Sequence, residues 1–329
     1  MENEIKKSAP KHRLKQKDLV MKIFSLFEEE YEKTEVEAIW DNKISINKIR
    51  AFLKESAHVS YQSNQWIYTQ LRRYENELGV KLFRRESSAS GDGGFSLSIH
   101  DQMTRFYQKQ HLYVTKKIKV VNGVFDKINN DITERRLNRP VKILLGAGST
   151  IYHLATIIAD RSWQDNQKYS IYTHNLGALK KLLEPTVNYR NIEVFTPTGR
   201  IDPVTYTILS KCNDLYKSTD FDFIIMGASY IINGNLYEES DDERDLKGSI
   251  LKECKGKKIL VLTKQEFTDH LNRELVSYGS LKDFNHIIVP HLTMHGGVKK
   301  KYDLLFEEYE GILSPQIIHW NYIIYKILS

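Results

Sequence analysis

Two groups of residues in this sequence have the types and spacing to do chemistry. The first is Ser63, Asn64, Gln65, Tyr68, Thr69 and Arg72 with Arg73, followed by Arg84 and Arg85. Short hydroxyls, carboxamides and guanidinium groups along a helix are the groups that hydrogen-bond base edges in a DNA major groove and grip the flanking phosphates. The second group follows a series of short apolar runs: Gly146, Gly148, Ser149 and Thr150, then Thr173 and Asn175, Gly199 and Arg200, Gly227, and Lys264. A glycine turn feeding a helix start offers backbone N–H groups and the positive end of the helix dipole to a phosphate or carboxylate, and Arg200 and Lys264 supply cations for the same anion. Gly146-Ala147-Gly148-Ser149-Thr150 is neither the GxxxxGK[ST] nucleotide loop nor the full GxGxxG fingerprint, and a turn serving chain geometry alone has the same composition.

Other reactive residue types lack the company they need. His291 and His295 lie four apart, but Gly296 and Gly297 after them indicate a loop and no third ligand stands near, so no metal is expected. Cys212 and Cys254 have no CxxC partner, which excludes a zinc ribbon or disulfide framework and suits a reducing cytoplasm. No motif implies a cofactor.

The elements that must position the first group are helices. Leu19, Ile23, Leu26 and Phe27 share one helical face from Asp18 onward, and Ile46, Ile49, Phe52 and Leu53 share another. A polar turn from Ser56 to Tyr61 leads to a longer helix, with Ser63 as N-cap, Ile67, Leu71, Tyr74 and Leu78 as the apolar stripe, and Gly79 as the stop. The polar residues Asn64, Gln65, Tyr68, Thr69 and Arg72 occupy the other face. Val80 to Arg85 and Phe95 to Ile99 then read as two short strands around a glycine-rich tip. The outline is a helix-turn-helix with a wing; a small helical bundle with a polar outer face has the same pattern.

The segment from Ser63 to Arg85 resembles the DNA-binding helix and following strand of LysR-type transcriptional regulators. The matching positions are Ser63, Leu71, Arg73, Glu75, Leu78, Gly79, Val80, Leu82, Phe83 and Arg85, with Leu97 and Ser98 at the close of the wing. The departures are Trp66, Tyr68 and Tyr74, where that family carries smaller or aliphatic residues. The resemblance implies binding to double-stranded DNA. It also implies that residues 100–139, whose stripe includes Val114, Ile118, Val121, Phe125 and Ile128, form a linker helix pairing two subunits, and hence a homodimer or homotetramer; packing of the stripe on the chain's own domains is the alternative.

Beyond Pro140 the pattern changes to six apolar runs alternating with helical stretches: 141–145, 169–172, 192–195, 221–226, 257–262 and 286–290. This alternation predicts an α/β domain with a Rossmann-like, mostly parallel sheet, in which ligands gather at the carboxyl ends of the strands. The order of its segments resembles the C-terminal effector domain of DeoR-type transcriptional regulators, which share a fold with ribose-5-phosphate isomerase. The resemblance is carried by Gly148-Ser149-Thr150, Thr173-His174-Asn175, Thr198-Gly199-Arg200, Asp220 to Phe223 leading to Gly227, Gly234-Asn235-Leu236 before Glu243 and Lys247, and Thr263-Lys264 with Phe267. It implies an effector site for a small phosphorylated metabolite and adds Glu243 and Lys247 to the residues that line it. The acidic catalytic stretch of the isomerases has no counterpart at Met226 to Tyr230, so no catalytic residues are expected.

Composition sets the outer bounds. The 329 residues are 41% hydrophobic and 27% charged, which excludes a disordered tail or a fibre, and no run approaches the length of a membrane span. Residues 1–139 carry 26 Lys+Arg against 19 Asp+Glu, a net +7, while residues 140–329 carry 22 against 23. That asymmetry points to a polyanion-binding half joined to a neutral one. The sequence therefore predicts a winged helix-turn-helix over 1–99, a linker and dimerisation helix with a basic hinge over 100–139, and an α/β sensor over 140–329. The expected function is that of a cytoplasmic DNA-binding repressor responding to a phosphorylated metabolite. The competing expectation is a sugar-phosphate or nucleotide isomerase or hydrolase, using Lys264 with Glu243 or Asp222 as acid and base.

Overall fold

The computed structural model describes residues 13–34, 39–61, 63–87, 94–100, 105–164, 167–210, 214–269, 274–291 and 301–328. The chain divides into two compact units, 1–113 and 114–329.

In the first unit, helices α1 (Gln16–Lys33), α2 (Ile46–Ala57) and α3 (Asn64–Leu78) accompany strands β1 (Ile44–Ser45), β2 (Phe83–Ser87) and β3 (Phe95–Ile99), and a short helix α4 (Phe106–Lys109) follows. The strands form one antiparallel sheet in the order β1-β3-β2. Leu19, Ile23, Phe24 and Phe27 of α1, Ile49 and Leu53 of α2, Ile67 and Leu71 of α3, and Leu82 and Leu97 beside the strands are all buried, so the helical periodicity in the sequence is the packing face of each helix. The tip between β2 and β3 lies outside the described residues.

The second unit opens with α5 (Val114–Arg135). It continues through β4 (Val141–Leu145), α6 (Ser149–Arg161), β5 (Tyr169–Thr173), α7 (Leu176–Leu182), β6 (Ile192–Phe195), the hairpin β7 (Arg200–Asp202) and β8 (Thr207–Leu209), α8 (Asp214–Lys217) and β9 (Phe223–Met226). The small strands β10 (Tyr230–Ile232) and β11 (Asn235–Tyr237) come next, then α9 (Asp241–Glu253), β12 (Lys257–Val261), β13 (Gly279–Ser280), β14 (His286–Pro290), α10 (Lys301–Glu307), β15 (Leu313–Ile318) and β16 (Tyr322–Ile327). The main sheet has eight strands in the order β15-β16-β14-β12-β9-β4-β5-β6. All six apolar runs picked out in the sequence are parallel strands of this sheet, so the mixed α/β architecture with a large, mostly parallel sheet is as expected. The residues beyond Pro290 extend it with the antiparallel pair β16 and β15. Counted in chain order, the parallel strands run 3-2-1-4-5-6, and strand order reverses between β4 and β9; ligand crevices form at such switch points.

One expectation is corrected here. The long helix is not an extended linker over 100–139: it begins at Val114, at the boundary between units, and its stripe packs on its own α/β core. Val120, Val121, Val124, Phe125 and Ile128 are buried there among Ile143, Ile158, Ile259, Ile288 and Tyr322. Each such side chain contributes roughly 1.5–3 kcal/mol on leaving water, so the sheet supplies the partner that the stripe requires. The approach is close at Gly123, where a Cβ would lie 2.8 Å from the Tyr322 ring, and Tyr322 donates a hydrogen bond to Asp126 at 2.5 Å. With the boundary at Val114 the charge asymmetry also disappears: residues 1–113 carry 19 Lys+Arg against 16 Asp+Glu and residues 114–329 carry 29 against 26, a net +3 each. Of the +7 credited to the first half, +4 comes from α5 and the hinge after it, which carry 7 Lys+Arg against 3 Asp+Glu.

Candidate nucleic-acid face and effector site

In the first unit, Ser63 caps α3 by accepting the Trp66 N–H at 3.2 Å, and Gly79 ends it at φ +67°, a conformation glycine adopts without strain. Glu75 ties the helix end to the hairpin. Its buried carboxylate accepts the N–H groups of Leu82 (2.7 Å) and Phe83 (2.8 Å), and Arg72 donates to its other oxygen at 2.6 Å. Gln65, Arg73, Arg84 and Arg85 are exposed, and Arg85 lies over the rings of Phe95 and Tyr68. Asn64 donates to Asn47 and Thr69 to the Gln65 carbonyl. The aromatic departures from the LysR pattern have local causes: Trp66 stacks on Tyr61, Tyr68 meets Phe95 edge-on, and Tyr74 hydrogen-bonds His111 at 2.9 Å.

In the second unit, Gly146 to Thr150, Thr173 and Asn175, Gly227 and Lys264 lie at or just past the carboxyl ends of β4, β5, β9 and β12, four neighbouring strands. Gly146 N–H donates to the Ile225 carbonyl at 2.9 Å, binding the first loop to the strand across the switch point. Thr173 and Asn175 are fully buried and shape that loop instead of facing a ligand. Thr173 donates to the Leu145 carbonyl, and Asn175 donates to the carbonyls of Gly146 (3.3 Å) and Gly148 (2.9 Å) while accepting the Ala178 N–H. Gly148, at φ +108°, starts α6, and no side chain caps it. Gly199 is forced by a close approach, since a Cβ there would sit 2.3 Å from the Leu209 carbonyl oxygen. Arg200 does not converge on the loop: it is exposed and pairs with Asp242 at 2.6 Å.

Lys247 reaches the strand ends. Its buried ammonium donates to the Gly227 carbonyl (3.0 Å) and Glu238 (2.5 Å), with Glu243 at 3.3 Å. Ser229 donates to the other Glu238 oxygen at 2.7 Å and Tyr278 to the Gly227 carbonyl at 3.1 Å. Burial lifts the Glu238 carboxyl to about 7 against the lowering pull of Lys247. His174 is fully buried, with Nδ1 3.3 Å from the Tyr216 hydroxyl and no partner for Nε2 among the described residues. Burial, then the Lys247 charge, pull it down to about 3, so the ring is neutral. Lys264, at φ +75°, is buried 3.4 Å from Asp303, and its burial lowers its pKa.

Asp222 belongs to the opposite edge. It precedes β9, accepts both Arg139 nitrogens at 2.7 and 2.8 Å and takes the Lys142 N–H. Five residues at about 3.3 Å each separate it from Gly227 by about 16 Å, so it cannot share a reaction centre with Lys264 or Glu243.

Several residues of this region were not expected. Lys117 of α5 is buried and donates to Ser149 Oγ at 2.9 Å, at the first residue of α6. A signal was present: Lys117 stands on the same stripe as Val121, Val124 and Ile128, where a lysine needs a partner. Glu266, half-buried, takes the Thr263 N–H and hydroxyl, and desolvation raises its pKa. Glu238, Tyr278 and Tyr216 had no motif to announce them, whereas Ser229 follows Gly227 just past the end of β9. His295 and Cys212 lie outside the described residues; His291 Nδ1 is 2.7 Å from the His319 carbonyl oxygen, and Cys254 is buried. Among the described residues no helix is long and apolar enough to cross a membrane.

No protein-family model matches the chain, and neither does any curated protein. Among solved structures, ribose 5-phosphate isomerase from Plasmodium falciparum is similar over 66% of this chain and 79% of its own, with 13% identity and a TM-score of 0.32. The ribose 5-phosphate isomerase a of Methanocaldococcus jannaschii gives 65% and 79%, 12% identity and 0.31. The eIF2B delta subunit of Chaetomium thermophilum gives 53% and 56%, 10% identity and 0.33; the match spans little more than half of that protein.

Proposed function

We propose that this protein is a DNA-binding transcriptional repressor that acts as a homodimer or homotetramer in the cytoplasm, with a winged helix-turn-helix in its first unit and a sensor for a small phosphorylated metabolite in its second. The observation that carries the reading is α3. A Ser63-capped helix exposes Gln65 and Arg73 and is locked through Glu75 to a hairpin bearing exposed Arg84 and Arg85. The element order α1-β1-α2-α3-β2-β3 with a β1-β3-β2 sheet supports the same assignment. In that arrangement α3 enters a major groove with Gln65 and Thr69 toward base edges, and the hairpin arginines lie along the phosphates.

The sensor half rests on the uncapped start of α6. Its first backbone N–H groups, Ser149, Thr150 and Lys117 form a cradle for a phosphate, with Gly146 and Gly227 allowing close approach at the switch point. Ligand binding there alters operator affinity by a coupling of about 1–3 kcal/mol, or roughly 5–150-fold. The test compares full-length wild type with Arg73→Ala/Arg84→Ala, residues exposed on the surface. The double variant is expected to lose operator binding by more than tenfold while keeping its affinity for a phosphorylated ligand; unchanged operator binding refutes the assignment of α3. Arg72 is left intact because its removal would also disturb Glu75.

A further inference from the structure

The buried group around Lys247 has a charge count that does not balance. The ammonium has three hydrogens, and its three acceptors are the Gly227 carbonyl, Glu238 and Glu243 at 3.0, 2.5 and 3.3 Å. Two carboxylates against one ammonium leave a surplus negative charge in a largely buried site, where like charges cannot both ionise without a large penalty. One proton is therefore held between the two carboxyls. We infer that Glu238 and Glu243 form a proton-binding site that fastens the first turn of α9 to the end of β11, and that loss of the proton releases that turn.

Every element packed on the pair contributes to this balance. Lys247 and Glu243 face Glu238 from α9, Ser229 from the turn after β9, and Tyr278 from the segment before β13. Burial holds the Tyr278 phenol neutral, and His174, which feels Lys247 from the end of β5, is neutral as well. Among the described residues, no cation other than Lys247 pairs with Glu238 or Glu243. The nearby Arg200 pairs on the surface with Asp242, and Arg244 with Asp241 and Asp245.

The element that yields is fixed by the geometry. Glu238 is fully enclosed and held by Ser229 and Lys247, whereas the Glu243 side chain is at the margin of the site, in the first turn of α9. Ser240, at the N-cap, gives that helix no side-chain cap. When the shared proton leaves, Glu243 turns out to water and the turn Asp241–Glu243 opens at the carboxyl edge of the sheet. The position of Glu238 at about 7 puts the change within the physiological range.

Amide hydrogen exchange of the full chain between pH 6 and 8.5, corrected for the intrinsic pH dependence of exchange, tests this on peptides covering 238–247. Opening is expected to rise roughly tenfold per pH unit above the midpoint, and both Glu238→Gln and Glu243→Gln are expected to remove the step. A flat wild-type profile, or a step that persists in either variant, overturns the inference. Carbon-13 detection of the wild-type glutamate carboxyls needs no variant: a resonance titrating near neutrality is expected, and titration of all of them below about 5 contradicts the shared proton.

Discussion

Replacing Glu75 by alanine isolates the connection between α3 and the hairpin. The carboxylate is 2% exposed and serves three donors, the amides of Leu82 and Phe83 and the Arg72 guanidinium. Alanine leaves two buried N–H groups without an acceptor, each costing about 1–3 kcal/mol. Arg72 is partly solvated, so its lost ion pair adds only about 1 kcal/mol or less. The sum is about 2–7 kcal/mol, centred on the 3–5 kcal/mol typical of breaking a buried charged network. Glutamine keeps an acceptor for the amides and loses the ionic component, so Glu75→Gln is expected to cost about 1–2 kcal/mol. Urea unfolding of the full chain, with the exposed second-unit tryptophans Trp163 and Trp320 replaced by phenylalanine and followed by the fluorescence of Trp40 and Trp66, reads the first unit. At about 1–2 kcal/mol per molar for a unit of this size, a loss of about 3–5 kcal/mol lowers the midpoint of Glu75→Ala by about 1.5–5 M, with operator binding lost in parallel. A shift equivalent to less than about 0.5 kcal/mol, or glutamine as damaging as alanine, would refute the reasoning.

Gly123→Leu drives a side chain into the Tyr322 ring and is expected to destabilise the second unit by at least about 1–3 kcal/mol; unchanged calorimetric stability would mean that α5 does not pack on β16 as described. His174 has a pKa depressed to about 3 against 6.5 for the free side chain, so its neutral burial contributes stability above pH 6.5 that is lost as pH falls toward 3. The stability gap between wild type and His174→Asn should therefore narrow on acidification, and a gap independent of pH between 7 and 4 contradicts a buried neutral imidazole. Lys117→Met removes a charge-assisted donor at the start of α6 and should weaken inorganic phosphate binding by about tenfold or more in calorimetric titration; equal affinity removes Lys117 from the cradle. Asp222→Asn should lower thermal stability without altering phosphate affinity, because its partners Arg139 and Lys142 lie at the other edge of the sheet; a loss of phosphate binding with intact stability would contradict this.

The parallel strands were legible because most of their residues are buried on both faces and apolar, even though the edge strand β6 exposes Glu193 and β12 opens on two lysines. The three helices of the first unit were legible through their 3.6-residue period, and Ser63 and Gly79 announced the limits of α3. What periodicity could not give was the owner of an apolar stripe. Val121, Phe125 and Ile128 show that α5 needs a partner, but a second subunit and the chain's own sheet satisfy the same pattern. The site residues divide similarly. Glycines at strand ends are visible as turns, whereas Thr173 and Asn175 turned out to spend their polar atoms on holding Gly146 and Gly148 in place. Glu238 and Tyr278 meet Lys247 only through tertiary packing, and no local spacing encodes that encounter. Asp222 shows the converse: it sits in a motif with Gly227, yet the extended strand between them sends the two to opposite edges.

The central claim is that α3 and its hairpin read a DNA sequence, and salt-titrated binding of the full-length protein to its own upstream region tests it most directly. The account predicts selective binding at least a thousandfold tighter than to random duplex of equal length, about the low end for specific regulators. It also predicts a logarithmic salt dependence equivalent to several phosphate contacts. Weak binding with the same affinity for both duplexes would contradict it.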